Sequence, residues 1–496
     1  MRGRAGIGSW LAVWLLAGGA IAQPVADPDT RYEARLAAPL TLEDCLAIAL
    51  ENNLELRIAR TGLAATQTTV DEAKGAFLPE FTFIGERTNL THYGEVPNRD
   101  EHLRAGTASV TQLLPLGTLI DYSYSALHLK LDPDLSDTPL RTIRFGINQP
   151  LLRGAGWRTG TAPVRAARYE TDITRAALRG VELGVTRQVR TAYYEVIRQA
   201  KIIDVNAQAV GRDSQLVLQS QTKLDAGLGT RRDVLSAEII LEQDRGKLVE
   251  ATTLYNDAVD GLARVLGLRV GRRLEIAQKD VTMERMQVDE AAITNKALHD
   301  NPGLQAARLQ LERSRLDARV AGNARLPQLD LNVSWNKVDD PDFNELTKIE
   351  NVQRVREGNE PREFDFTAFK GWTTLLTLSY PLGNKSLGSA HRRARELQDQ
   401  SQRNLDDVER QLVLDLRTAL RSLDNSVERV AILSKSIEGA RSKLEYASVN
   451  FQLGRASNLD IVDAQKDLLD AETDYINEVI DYRVQLANVE ALIGGF

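Results

Sequence analysis

Apolar residues recur every seven positions over long stretches of this chain. Val189, Val196, Ile203, Val210, Val217 and Leu224 form one stripe, and Leu416, Leu423, Val430, Ile437, Leu444 and Phe451 form another. Beyond a glycine in each case the pattern resumes, as Val234, Leu241, Leu248, Tyr255 and Leu262, and as Ile461, Leu468, Tyr475, Tyr482 and Val489. A sustained period of ~3.5 residues predicts helices that supercoil with a left-handed bias. Alanines accompany the second stripe of each pair (Ala237, Ala251, Ala258; Ala464, Ala471) and permit close helix approach. Residues ~155–226 and ~387–453 read as single helices of about 100 Å at ~1.5 Å per residue. Segments 41–77, 230–267, 288–325 and 457–493 read as shorter helices. Periodicity alone is equally consistent with an antiparallel coiled-coil hairpin.

Between the helices the period falls to two. Leu329, Leu331, Val333 and Trp335 alternate with Asp330, Asn332, Ser334 and Asn336. Trp372, Thr374, Leu376, Leu378 and Tyr380 alternate with smaller or polar residues, as do Ile143, Phe145 and Ile147, and Phe81 and Phe83. Strands are thus predicted within 81–149, at 329–337 and at 371–380. Pro79, Pro150, Pro327 and Pro381 mark the helix–strand transitions, where a missing N–H and a fixed φ end an element. One apolar and one polar face over ~10 residues suits a transmembrane barrel strand and equally a soluble sheet with one buried face. Trp372 and Tyr380 bracket their strand as interfacial aromatics do.

The helical and strand blocks occur twice. Ala49-Leu50, Asn53, Leu56, Ala59-Arg60, Ala73 and Leu78-Pro79 return 248 positions later as Ala297-Leu298, Asn301, Leu304, Ala307-Arg308, Ala321 and Leu326-Pro327. Arg190-Thr191-Ala192, Gly227, Asp233, Ala237 and Tyr255 return 227 positions later as Arg417-Thr418-Ala419, Gly454, Asp460, Ala464 and Tyr482. The chain therefore reads as a duplicated helix–strand–strand–helix unit, mixed α+β but mainly α. The first copy spans 23–267, a linker 268–287, and the second copy 288–496. About 21 additional residues sit between the two blocks of the first copy.

Arg2 and Arg4, an apolar run from Ile7 to Leu16 and Ala20-Ile21-Ala22 compose a secretory signal peptide over 1–22. No other apolar run approaches the ~20 residues of a membrane-spanning helix, so entry into a membrane requires a closed β-barrel. Loss of the signal takes two arginines and no acid, leaving a net charge of about −9, which argues against nucleic acid as a partner. Cys45 is the single cysteine, and it lies too far past the cleavage site to be a lipidated first residue. The five histidines (His92, His102, His128, His299, His391) show no metal-ligand spacing, and no phosphate-binding loop or nucleophile elbow appears. Asp132, Asp134, Ser136 and Asp137 resemble the start of a calcium loop, but Ile143 stands where its closing glutamate belongs, so a solvated acidic loop is the simpler reading. No enzymatic activity, cofactor or resident metal is expected.

Leu42-Glu43-(x)2-Leu46-(x)3-Leu50-(x)2-Asn53 with Leu78-Pro79, and Phe451-(x)2-Gly454-(x)2-Ser457-(x)2-Asp460-(x)3-Ala464-Gln465, resemble the TolC-like outer-membrane efflux protein family. The resemblance covers nearly all of the chain beyond the signal. It implies a homotrimer whose strands close one outer-membrane β-barrel, continued in the periplasm of a Gram-negative bacterium as an α-helical barrel. It implies an exit duct for efflux or type I secretion, docked to a periplasmic adaptor and an inner-membrane pump, with segments 23–40 and 268–287 in a belt around the tunnel. It also implies a tip narrowed by aspartates, which match Asp460 and Asp463, and latched by a tyrosine and an arginine, whose places are taken by Phe451 and Ala456. The family latch is therefore absent in that form. Asp233 with Arg231 and Arg232 offers a different clasp.

Two alternatives stay open. Thr230-x-x-Asp233 and Ser457-x-x-Asp460 both fit the capping box, in which the acid satisfies free N–H groups at a helix start. Asp463 lies one turn deeper, where capping no longer explains it. The family pattern has four strands per protomer, yet Gly106–Leu114 and Thr118–Leu129, joined by Pro115-Leu116-Gly117, read as two more. They are either barrel strands or a hairpin standing above the membrane. A periplasmic coiled-coil adaptor or scaffold without a pore is the rival functional class. It accounts for the seven-residue stripes but not for the aromatic-bracketed strands.

Overall fold

The computed structural model describes residues 35–36, 38–92, 99–132, 136–277, 283, 289–339, 353–354, 356–358 and 367–495. The expected signal peptide, Asp134 of the acidic loop, and parts of the segments 23–40 and 268–287 lie outside them. In chain order the elements are α1 (Leu42–Asn52), α2 (Leu54–Gly75), β1 (Glu80–His92), β2 (Arg99–Leu113), β3 (Leu119–Asp132), β4 (Ser136–Pro150), α3 (Trp157–Gly160), α4 (Ala162–Asp225), α5 (Arg231–Leu266), α6 (Glu290–Asp300), α7 (Pro302–Asn323), β5 (Gln328–Asp339), β6 (Thr367–Ser379), α8 (Lys385–Gln452) and α9 (Asn458–Leu492). Among the described residues no helix is long and apolar enough to cross a membrane.

The chain divides into two compact units. The first is drawn from residues 1–56, 185–286 and 422–487, and the second from 57–184, 287–421 and 488–496.

In the first unit, stretches of α4, α5, α8 and α9 pack through small and aliphatic residues. Leu216, Ala237, Ala447, Phe451, Ile461 and Ala464 form one buried cluster, and Val205, Ala209 and Leu469 another. Of the alanines in the second stripes, Ala237, Ala251, Ala464 and Ala471 are buried and Ala258 is half-buried. Leu40 joins this unit by a parallel bridge to Ile276, with its N–H on Glu275 O at 2.7 Å.

The segments 41–77 and 288–325, read above as unbroken helices, are each divided. Asn53 and Asn301 leave the helical region (ψ 128° and 121°), and each side chain then caps the next helix, on Leu56 N at 3.2 Å and Leu304 N at 3.0 Å. In the first unit the Asn53 amide also donates to Val265 O at 2.8 Å. In the second unit Asn301 donates to Leu492 O at 3.0 Å. A left-handed glycine completes each joint: a β-carbon on Gly267 would lie 2.6 Å from Asn52 O, and one on Gly494 2.7 Å from Asp300 O. The expected long helix ~155–226 starts later, at Ala162: Gly154 and Gly156 (φ 81° and 88°) lead into a four-residue turn, α3, and Thr161 separates that turn from α4.

The second unit holds one six-stranded antiparallel sheet in the order β1-β2-β3-β4-β5-β6. The segments read from alternation, 329–337, 371–380 and those within 81–149, fall on these strands, which run on to 12–15 residues each. The sheet is fixed to its helices at the proline transitions: Leu151 N bonds Leu329 O at 2.7 Å, and Gly154 N bonds the Asn323 side chain at 2.8 Å. Strands β1 and β6 are its edges, and neither edge has a partner among the described residues.

Candidate channel tip

Two tight turns in the first unit carry the residues singled out above. Both are built the same way, because the sequence repeats there. Gly227 and Gly454 adopt left-handed φ (72° and 73°) that a side chain would resist, and they close the ends of α4 and α8. Leu228 N bonds Lys223 O at 2.8 Å, and Arg455 N bonds Asn450 O at 2.8 Å. Three residues later a hydroxyl opens the next helix. Thr230 accepts from Asp233 N, and the Asp233 carboxylate takes Thr230 N at 3.0 Å and Thr230 Oγ1 at 2.6 Å. In the same way Asp460 takes Ser457 N at 2.7 Å and Ser457 Oγ at 2.8 Å. These bonds favour the ionised form and hold the carboxyls of Asp233 and Asp460 below the usual carboxylate range.

Asp233 and Asp460 therefore both cap helices, the simpler of the two readings, and Asp460 remains exposed while doing so. Asp463 is exposed one turn further along α9, outside the cap. Arg231 and Arg232 are exposed as well. The Asp233 carboxylate is held on Thr230, and the nearby charges of Arg232 and Lys223 also favour its ionised form.

Phe451 and Ala456 pack into the buried cluster of Leu216, Ala237, Ala447, Ile461 and Ala464. Onto Phe451 comes a residue that sequence reading missed. The Lys223 ammonium sits 3.3 Å from the centre of the Phe451 ring and also donates to the Phe451 carbonyl. Burial draws its pKa down. A second unforeseen link lies beside it. The buried Asn458 side chain donates to Ser220 Oγ at 2.9 Å and to Asp233 O at 2.8 Å. Thus α4 is held to α8 by Lys223–Phe451, and α4, α5 and α9 are held together by Asn458. Neither link has a local signature, since Lys223 and Phe451 are 228 positions apart and Ser220 and Asn458 are 238 apart.

Further along the same helices the two copies differ. Between α8 and α9 run ion pairs: Lys443–Asp467 at 2.5 Å, Arg441–Glu472 at 3.0 Å and Arg429–Glu478 at 3.1 Å. Between α4 and α5 two acids meet instead. Asp213, 2% exposed, lies beside the buried Asp244, and Lys247 reaches Asp244 at 2.9 Å. Burial first, and Asp244 second, push the Asp213 carboxyl up to about 7. The positions 227 residues later are Ala440 and Ala471.

No group of three or more metal-ligating side chains occurs among the described residues. The arrangement joins two helical hairpins through non-covalent clasps and leaves two carboxylates at their end in solvent.

Known proteins resemble this chain at the level of sequence and of fold. The family model described as outer membrane efflux protein matches residues 46–268 and 293–495. Outer membrane protein TolC of Vibrio cholerae is 24% identical over 399 residues, which are 80% of this chain and 85% of that one. The alkaline protease secretion protein AprF of Pseudomonas aeruginosa is 25% identical over 283 residues, 55% of this chain and 54% of the relative. Among solved structures, the outer membrane protein VceC of Vibrio cholerae superposes with a TM-score of 0.65 at 15% identity, covering 94% of this chain and 98% of that one.

Proposed function

This chain belongs to the outer membrane efflux protein family, and from that premise we propose that three copies assemble into a single duct that closes its wall with the sheet and its entrance with the paired turns. It is an outer-membrane exit channel of the TolC type. Cargo reaches it from a periplasmic adaptor and an inner-membrane pump, as in efflux and type I secretion systems.

The observation that carries the trimer is the sheet with two open edges. Each edge offers 13 residues of backbone, Glu80–His92 on one side and Thr367–Ser379 on the other. Unpaired edges of that length invite association, and no open edge survives in lipid. Because β1 and β6 run antiparallel within an even-stranded sheet, β6 of one protomer meets β1 of the next in the same alternating sense, and the wall closes by rotation. A scaffold without a pore leaves these edges, and the exposed Phe81, Phe83, Trp372 and Leu378 on them, without a role.

The exposed Asp460 and Asp463 at the turn between α8 and α9 support a reading of this end as the entrance. Three copies of Asp460 and Asp463 place six carboxylates around the entrance, where they raise the local concentration of cations. Lys223–Phe451 and Asn458 hold the hairpins closed in place of a tyrosine–arginine latch.

The test is extraction from outer membranes in mild detergent, followed by mass determination and planar-bilayer recording. A trimer that conducts is expected. A monomer without conductance overturns the proposal.

A further inference from the structure

We infer that the hairpin of β2 and β3 is part of the membrane wall, so that each protomer contributes six transmembrane strands and the trimer eighteen; this rests on the trimeric duct proposed above. Three observations within the second unit carry it.

The first is pairing. β2 lies against β1 from Glu80↔Thr111 to His92↔Arg99, and β3 lies against β4 from Leu119↔Asn148 to Leu131↔Ser136. The hairpin occupies the full length between β1 and β4. A hairpin standing above the membrane would leave those two strands unpaired at the level of the lipid.

The second is where its turn sits. Leu114 N bonds Thr118 O at 2.7 Å and Gly117 N bonds Leu114 O at 2.9 Å, closing the turn. The turn is seated on the helix–strand junctions, because Gly156 N bonds Leu116 O at 3.1 Å and Gln112 Nε2 bonds Phe77 O at 3.1 Å. Its glycine is obligatory: Gly117 has φ 87°, and a β-carbon there would lie 2.6 Å from Gly154 O. The short turn thus lies at the helical end of the sheet, on the same side as Pro79 and Pro150, and its two strands lead away from it.

The third is chemistry across the sheet. At one level the paired residues read Phe81, Val110, Tyr122, Phe145, Trp335 and Trp372, one from each strand. The next level outward reads Phe83, Ala108, Tyr124, Ile143, Lys337 and Lys370. The same face continues toward the helices through Gln112, Ile120, Ile147, Val333 and Thr374, then Gln149, Leu331 and Leu376, its polar members falling at the helical end of the band. Of these, Phe81 (78%), Phe83, Tyr122, Tyr124, Trp372 (69%) and Leu376 are exposed in the protomer, and Val110, Phe145 and Trp335 are half-buried. On the opposite face the levels between read Glu80, Thr111, Asp121, Gly146, Ser334 and Thr373, then Thr82, Ser109, Ser123, Arg144, Asn336 and Gly371. Arg144 and Asp121 pair there at 3.5 Å. From the level of Leu329 to that of Tyr124 is about eight residues, hence ~26 Å of strand at ~3.3 Å per residue. Tilted by ~40° this gives a band about 20 Å tall, close to the apolar band of an outer-membrane barrel. β2 and β3 carry the apolar row and the polar row in register with their neighbours. Lipid therefore meets Val110, Tyr122 and Tyr124, and the lumen meets Ser109, Thr111, Asp121 and Ser123.

Barrel diameter grows roughly linearly with strand number, so eighteen strands give a mouth about 1.5 times as wide as twelve. That admits bulkier cargo at the exit, such as a polypeptide chain with its side chains solvated.

Single cysteines at Ser109, Val110, Tyr122, Ser123 and Tyr124, with Arg144 and Phe145 of β4 as references, are labelled with an environment-sensitive fluorophore in proteoliposomes. Cys45 is buried, with its thiol pushed up to about 12, and stays silent. Expected is severalfold stronger quenching by brominated lipid at 110, 122 and 124 than at 109 and 123, matching the contrast between 145 and 144. Alternation on β4 with uniform water access on β2 and β3 overturns the six-strand wall and leaves the duct intact. Absence of alternation on β4 as well overturns both.

Discussion

At the scale of single residues, the chain depends on places where an atom fills the last available space. Gly267 and Gly494 are two of these, since each combines a left-handed φ (74° and 84°) with a carbonyl under 3 Å from where a β-carbon would stand. Gly267→Ala is expected to cost about 2–4 kcal/mol, through strain and displacement of the Asn53 joint, and to show as a lowered thermal midpoint. Gly439→Ala, where no atom lies within 4 Å and φ is ordinary, is the control and is expected to be neutral or slightly stabilising. Asp213 is a second such place. Its folded pKa, about 7, lies above its ordinary value of 3.8, so the protonated form is the one the fold prefers. The stability it contributes is complete below about pH 4 and is lost as pH rises toward about 7, after which it is flat. Asp213→Asn keeps the shape without the charge. The variant is expected to be more stable than the parent at pH 8, by about 1–3 kcal/mol, and indistinguishable near pH 4. A pH series of thermal melts reads this, and a parent curve that rises between pH 4 and pH 7 relative to the variant would refute it. Neither glycine nor this acid pair was legible in the sequence, because each acquires its meaning from a partner on another element.

At the scale of elements, legibility divides cleanly by distance along the chain. The seven-residue stripes sufficed for the helices and the period of two for the strands, since both report which face is buried locally. The breaks at Asn53 and Asn301 were invisible to the same reasoning. The apolar period continues across them, and the cause of each break is a side chain bonded to a carbonyl about 200 residues away, Val265 in one copy and Leu492 in the other. The strands were read short for a different reason. Beyond the level of Phe83 the polarity of the two faces exchanges, with Leu127 and Leu140 now opposite in sense to Phe145, so alternation loses its phase although pairing continues. At the tip the capping boxes were legible from Thr230-x-x-Asp233 and Ser457-x-x-Asp460, whereas Lys223, Ser220 and Asn458 were not. The expected role of the two acids near the start of α9 is tested by Asp460→Ala with Asp463→Ala. Cation selectivity and block by multivalent cations, measured in bilayers, are expected to fall together. If both persist while helix stability drops, the two residues serve the helix end alone.

At the scale of the whole molecule, one unit repeated twice in sequence is proposed to be repeated three times in space, and the two repetitions are held by different means. Within the chain, the copies are joined by covalent continuity and by side chains such as Arg198, which reaches Asp481 at 2.6 Å. Between chains, the proposed wall relies on backbone alone, at the edges β1 and β6. This has a consequence in genetics. A proline at an outward-facing N–H of β6 removes a donor from the seam but leaves the rest of the protomer able to fold and to enter an assembly. Such a chain is not merely inactive. Produced in equal amount with the parent and mixed at random, it leaves only about one trimer in eight free of a defective seam. An edge lesion would therefore be inherited as dominant over the intact copy, while a lesion severe enough to stop the protomer folding removes the chain before assembly and would be recessive.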